Sequence, residues 1–325
     1  MEIWNRPAWS RLTTDEKRQQ MPILQKKLPE GFDFVRLDTF ERYGQSTETG
    51  IFVCEDIEFI FVPGDTVTLG WNTQPAAEDD SAGVRERMLD LLRELGAAPE
   101  ELEERMQAWV SPIRQAKISP MLVERHYVSA AWTDWPIEEL DPQEDAELLD
   151  AIETFRISPH HSLESDQAYL IERGAGSLKL YQFDESESFE EWCKANIGVG
   201  LDLPSEDEWE YLYGAGCRTL FPWGSEIDLS MRLRHLSPEA AGDYELERPN
   251  AFGLQFPGDP YKKEIVHTPT GFTGKGGDGG LNLHGGYGPF AAYLPTAISY
   301  RDPFEEELDW TEWLSSLVFR RIVRL

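Results

Sequence analysis

The pattern of apolar positions predicts several short strands. Residues 50–72 read GIFVCEDIEFIFVPGDTVTLGWN, two apolar runs rich in β-branched and aromatic residues. Glu55 and Asp56 separate the two runs, and a Pro-Gly-Asp turn signal at 63–65 interrupts the second run. Further strands are predicted at 118–132, 177–183 and 316–325.

Helical periodicity is clearest in the acidic stretch that follows. The apolar positions that recur at helical spacing are Val84, Met88, Leu91 and Leu95. Gly96 ends this run and Pro99 opens a second helix, so we predict a helical hairpin at about 78–109 with a charged outer face. Further helices are predicted near 14–28, 146–155 and 188–196.

The segment LPSEDEWE at 203–210 predicts a well-formed helix start. The Ser205 hydroxyl can accept from the amide three residues on, while Glu208 reaches back to the Ser205 amide, which makes a capping box. Three acidic residues in the first turn also suit the positive end of the helix dipole. Trp209 then falls where a side chain can face a core.

The remaining sequence indicates an irregular α+β domain. Beyond Trp223 regular structure is predicted to thin out, and 271–288 (GFTGKGGDGGLNLHGGYG) reads as a glycine-dense loop. Long loops between short strands are typical of an α+β fold without long helices. We predict a leader segment at 1–48 and one domain at 49–325.

Charge and cysteine content limit the partners and the cellular compartment that we expect. The 325 residues include 30 Lys and Arg against 60 Asp and Glu, a net charge of −30. This charge disfavours nucleic acid and anionic lipid as partners. The first residues do not read as a signal peptide, and no apolar stretch is long enough to span a membrane. Three widely spaced cysteines suit reduced thiols, so we expect a cytoplasmic protein.

Common catalytic and cofactor motifs do not fit. The match to GxGxxG at 274–279 lacks the preceding strand and following helix that hold a pyrophosphate. The histidines are His126, His160, His161, His235, His267 and His284. None of them has the spacing that presents two imidazoles to one metal from a helix. His160 and His161, beside Glu164 and Asp166, are better explained as a polar surface loop.

Four pieces of sequence, taken in order, resemble the formylglycine-generating enzyme (sulfatase-modifying factor) family. FIFVPGDTVTLGW at 59–71 resembles its opening strand pair, and LPSEDEWEYLYGAG followed by FPWG resembles its signature. NAFGLQFPGD at 250–259 and the glycine-rich run with the later VFRRIV resemble its remaining motifs. The resemblance covers about residues 59–325 and implies a C-type-lectin-like fold, in which Trp209 and Trp223 are core anchors.

The departures from the family pattern bear on function. Active members bind copper through a cysteine pair after the Gly-Gly element, and thiolates are the ligands that Cu(I) prefers. No cysteine follows Cys217 here, and a gapless comparison puts Phe290 and Pro295 at the pair. The HxxxHxE iron-site element of related sulfoxide synthases is also missing. The family's calcium sites reduce to one candidate ligand, Asp259, so the resemblance implies no cofactor beyond a structural calcium.

Three functions stay open from the sequence. The first is a catalytically degenerate module that binds a protein or small ligand; the second is an oxidase or oxygenase with a relocated metal site at His284 or His126. The third is a structural or regulatory subunit that docks through the acidic hairpin. For the first, the segment after the Gly-Gly element supplies the candidate ligand-binding residues, of which Phe290 and Tyr293 can equally be explained as core filling. These candidates are His284, Tyr287, Phe290, Tyr293, Tyr300 and Arg301.

Overall fold

The chain folds into sheets and short helices in an α+β arrangement. The structure is a computed structural model that describes residues 2–72, 82–165, 168–174, 177–228, 233, 244–305 and 309–325. Its strands are β1 (Asp33–Arg42), β2 (Gln45–Cys54), β3 (Ile57–Val62), β4 (Asp65–Leu69), β5 (Arg114–Ile118), β6 (Met121–Glu124), β7 (Val128–Ser129), β8 (Trp132–Asp134), β9 (Ser162–Ser165), β10 (Tyr169–Arg173), β11 (Leu178–Phe183), β12 (Lys263–Thr268), β13 (Gly271–Lys275), β14 (Leu317–Phe319) and β15 (Ile322–Arg324). Its α-helices are α1 (Arg6–Trp9), α2 (Thr14–Gln25), α3 (Ala82–Glu94), α4 (Leu102–Ala108), α5 (Ala146–Arg156), α6 (Phe189–Asn196), α7 (Glu206–Gly214), α8 (Leu281–His284), α9 (Gly288–Tyr293) and α10 (Trp310–Trp313).

The described strands form four sheets. One has the order β1-β2-β3-β6-β15, a second β8-β11-β10-β9, a third β13-β12-β14-β7, and β4 pairs with β5. Neighbouring strands are antiparallel except β12 and β14, which run parallel. None of the described helices has the length and apolar character needed to cross a bilayer.

The predicted leader contributes two strands to the first sheet. The boundary at 48/49 falls inside β2, which pairs with β1 on one side and β3 on the other. The Trp9 ring packs edge-on against Phe61 of β3 at 4.9 Å, and both side chains are buried. Residues 33–48 are therefore part of the sheet and not a separate segment. The helix predicted at 14–28 is present as α2.

The predicted hairpin is present as α3 and α4. Its apolar face, which includes Val84, Met88 and Leu92, is buried in a cluster with Phe221 and Tyr293. The part of the prediction at 78–81 lies outside the described residues. Because this cluster joins the hairpin to the segment after the Gly-Gly element, burial of the apolar face holds both in place.

Helix α7 begins as the sequence predicts. Ser205 and Glu208 form the reciprocal capping box, with the Ser205 amide 2.8 Å from the Glu208 carboxylate. Trp209 is 1% exposed and stacks on Tyr213 at 4.8 Å, as expected of a core anchor. Trp223 differs from its prediction, because it is only half-buried. It stacks on Phe221 and donates its indole N–H to the Glu226 carbonyl at 3.0 Å.

The last third of the chain has more regular structure than its sequence predicts. The segment 271–288 contains β13 and α8, so the glycines interrupt regular elements and do not replace them. The single closing strand predicted at 316–325 is two strands in two different sheets, β14 and β15. The backbone changes sheets at Arg320, whose guanidinium is fully buried and pairs with Glu264.

Candidate ligand-binding site

A cavity of about 350 Å³ opens between the glycine-dense loop and the segment that follows α10. It is lined by Tyr261, Lys262, Asp278, Gly279, Leu281, Glu312, Trp313, Ser315 and Ser316. The glycines allow the loop to approach β12 closely, because a Cβ at Gly277 would stand 2.2 Å from the Lys262 carbonyl oxygen. Gly280 has φ of 84°, which a side-chain-bearing residue rarely adopts. The loop can therefore form one wall of the cavity.

A buried charge cluster lies behind this cavity. The ammonium of Lys263, at 0% exposure, donates to Asp302 Oδ2 at 2.7 Å and lies 4.0 Å from Glu305. The same ammonium sits 3.5 Å from the centroid of the Trp313 ring, a cation–π contact with a residue that lines the cavity. Glu305 also accepts from the Thr273 hydroxyl at 2.5 Å. Burial raises the pKa of Glu305, which the Lys263 charge opposes.

Asp278 brings a titratable carboxyl to the cavity wall. Its two oxygens accept from the backbone amides of Gly280 and Asn282, each at 2.9 Å, so the side chain also holds the start of α8. Burial raises the pKa of Asp278 to about 6, a shift that the two amides oppose and the charge of Asp302 adds to. A carboxyl with this pKa changes charge near neutral pH, which is common in functional sites.

A second charge network, which joins two basic and two acidic side chains, contacts the backbone of Tyr300. Lys275, at 1% exposure, donates to the Tyr300 carbonyl at 2.7 Å and to Glu210 at 3.2 Å. Arg301 binds Glu206 through two hydrogen bonds of 2.7 and 2.6 Å. Burial alone would raise the pKa of Glu206, but the hydrogen bond from Arg301 and the Lys275 charge lower it to about 2. These pairs attach the segment after α9 to helix α7.

Of the ligand residues predicted from the sequence, His284 lies near the cavity and Tyr287 lies at the surface. His284 pairs its Nε2 with the hydroxyl of Tyr261, and the two rings meet edge-on with centroids 5.3 Å apart. The predicted His284 thus reaches the cavity through Tyr261. Tyr287 is 38% exposed, and its ring covers Gly285.

The other four predicted residues do not form one surface with these two. Tyr293 and Tyr300 are each 2% exposed and belong to the cluster that holds the helical hairpin, and Phe290 packs against it. The core-filling explanation therefore fits Phe290 and Tyr293. Burial raises the pKa of Tyr300 far above its usual value, with Asp278 and Asp302 adding to the effect. Arg301, predicted as an anion clamp, already binds the carboxylate of Glu206.

The candidate metal ligands do not group into a site among the described residues. Asp259 Oδ1 accepts the Tyr261 amide at 3.0 Å as part of a turn. Across the described ranges, no three His, Cys, Asp or Glu side chains form a group arranged to hold a metal. Calcium at Asp259 therefore stays a prediction. His126 contacts the Gln255 side chain at 2.5 Å, and Asp166, predicted to accompany His160, lies outside the described residues.

Sequence reasoning missed the residues of the cavity wall and of the charge cluster behind it. Lys263, Asp302 and Trp313 are far apart along the chain, and in so acidic a sequence a single carboxylate carries little information. One signal was available for Asp278, which stands between pairs of glycines in GGDGG. A charged residue in such a run indicates a tight turn that presents its side chain at a fixed place.

No model of a known protein family matches the chain, and no curated protein is significantly similar to it.

Proposed function

We propose that this protein is a ligand-binding module built on a scaffold similar to that of the formylglycine-generating enzymes. The support for the scaffold is the order of the four motif-like segments, together with the capped helix α7 and its buried Trp209. The chain has no cysteine after Cys217 to bind copper as active family members do. Binding, and not oxidation of cysteine, is the function that these residues favour.

The ligand we propose is a small zwitterion of the amino-acid type. The observation that carries this proposal is that one cavity presents charges of both signs: the Lys262 ammonium, and the carboxyls of Asp278 and Glu312. The Lys262 ammonium donates to the Ser315 carbonyl at 2.9 Å, which leaves further N–H donors for a ligand carboxylate.

Aromatic walls complete the site. The rings of Tyr261 and Trp313 line the same cavity and offer rigid apolar area to a side chain or a methylene group. A volume of about 350 Å³ lies at the lower end of the range in which small-molecule sites fall. These features favour a compact ligand over a folded protein partner.

The test is binding of free amino acids to the purified protein, screened by saturation-transfer NMR and quantified by calorimetry. For any amino acid that binds, its methyl ester removes the carboxylate and its N-acetyl derivative removes the ammonium. We expect each derivative to bind at least about tenfold more weakly, the loss of one charged hydrogen bond. Lys262→Met should weaken the amino acid but not its ester.

Lys117→Gln, an exposed lysine on β5, is the matched control and should change nothing. Failure of all amino acids to bind at millimolar concentration would refute the proposed ligand class. Equal affinity for the amino acid and its ester would show that Lys262 does not bind the carboxylate.

A further inference from the structure

A second and larger cavity lies on the opposite end of the β12–β13 hairpin. Its volume is about 650 Å³, and three pieces of chain line it: helix α6, the loop at 197–203 and the turn at 267–271. Its apolar lining includes Phe189, Ile197, Leu201 and Leu203. This size and lining are typical of cavities that hold small organic molecules.

The spacing of α6 explains why its apolar groups share the cavity. Phe189, Cys193 and Ile197 are four residues apart, so they lie on one face of the helix and its C-terminal extension. The Phe189 ring is fixed by Phe272 and Trp310, at 4.8 and 5.7 Å between centroids. The apolar wall is therefore rigid where α6 begins.

Two basic side chains at this cavity have no anionic partner within the described part of the chain. Lys194 and His267 line the cavity and are exposed, and neither side chain makes an ion pair or hydrogen bond with a described residue. Asp202, which also lines the cavity, is already paired with Arg324. Glu190 is exposed in the first turn of α6, where the helix dipole stabilises its charge.

The surroundings of these two basic groups differ from those of the buried lysines. Lys263 and Lys275, for example, are bound to carboxylates. At the second cavity the basic groups stand beside apolar surface instead. An ammonium and an imidazole beside such a surface complement a molecule with an apolar body and one anionic head.

The geometry points to a second binding site here, for a carboxylic acid with an aromatic or aliphatic body, its carboxylate at Lys194 and His267 and its body against Phe189, Ile197 and Leu201. Cys193 contributes volume and not reactivity: burial raises its pKa to about 11, with the nearby charges of Glu190 and Asp202 adding to the effect. The thiol therefore stays protonated at neutral pH.

The experiment uses 1-naphthaleneacetate and its neutral isostere 1-naphthaleneacetamide, which differ in charge and hardly in shape. Binding is followed by amide chemical shifts in the ¹⁵N-labelled full chain at low salt. We expect the acid to bind about fivefold more tightly than the amide, the contribution of an exposed ion pair. The shifted amides should lie in 189–203 and 267–271.

Lys194→Gln should remove most of the preference for the acid over the amide, while Lys117→Gln on β5 should leave that preference intact. Because Lys194 is exposed and makes no ion pair with a described residue, this variant should fold like the parent. Equal binding of acid and amide to the parent protein overturns the proposed ligand class. No binding of either compound, or shifts confined to other residues, overturns the site itself.

Discussion

Removal of the buried ammonium behind the first cavity should destabilise the fold strongly. Lys263→Met keeps the length and apolar stem of the side chain but leaves Asp302, with its side chain 1% exposed, without its counter-charge. Among the described residues, the amide of Phe304, 3.0 Å from Asp302 Oδ1, then stays as its hydrogen-bond donor. Breaking a buried pair from one side costs about 3–5 kcal/mol. The assay is urea unfolding at pH 7.5, followed by tryptophan fluorescence.

A second substitution should restore most of the lost stability, because it removes the buried carboxylate that is left without a counter-charge. Lys263→Met combined with Asp302→Asn should recover all but about 1–2 kcal/mol.

The neighbouring Lys262→Met is the control. Lys262 is half-buried and makes one hydrogen bond to a backbone carbonyl, so its loss should cost about 1 kcal/mol or less. A near-neutral Lys263→Met would refute the reasoning, since the Lys263–Asp302 contact would then contribute nothing. A double variant as unstable as Lys263→Met would show that packing of the lysine stem, and not the unpaired charge, is responsible.

The remaining predictions concern the packing of the core, the dependence of stability on pH, and the cysteine oxidation that we do not expect the protein to catalyse. Trp209→Ala should lower the free energy of unfolding by about 3–5 kcal/mol, and the half-buried Trp223→Ala by about half as much; equal losses in urea melts would contradict the observed burial. The pKa of Asp278 is about 6 in the folded state and ~3.9 in the unfolded chain. The carboxyl therefore adds about 2–3 kcal/mol to the free energy of unfolding below pH ~4, and this stabilisation is lost as the pH rises through the folded-state pKa. Asp278→Asn should lack this slope in unfolding measured from pH 4 to 7. A sulfatase-type cysteine peptide incubated with the protein, copper and oxygen should keep its cysteine, because no cysteine follows Cys217; an aldehyde product in the mass spectrum would contradict this.

Local physics explains which parts of the fold the sequence could predict. The capping box of Ser205 and Glu208 and the periodicity of α3 depend on residues a few positions apart, and both are present. Strand β1 was missed because its residues alternate between exposed and half-buried, with none buried, so no apolar stripe marks it. Partners far along the chain decide that strand, and single-sequence patterns do not contain them.

The site was less predictable than the fold for a related reason. The segment at 284–301 does adjoin the first cavity through His284, but the aromatic density that marked it comes partly from core residues such as Tyr293. An aromatic side chain looks the same in a sequence whether it faces a ligand or a core. The pairing of Arg301 with Glu206 was likewise invisible, because the two residues are 95 positions apart.

The change of sheets at Arg320 has a consequence for how the protein reaches its fold. Strand β14 pairs with β12 and β7, and β15, which follows after a two-residue connection, pairs with β6 about 200 positions earlier along the chain. Pairings between such distant segments form slowly, because loop-closure entropy opposes them until many contacts are made together. Two sheets thus depend for completion on one short segment, so neither can finish before that segment has been synthesised. During synthesis the open edges of β6 and β12 would be exposed to other chains, and this is the stage at which we expect misassembly to begin.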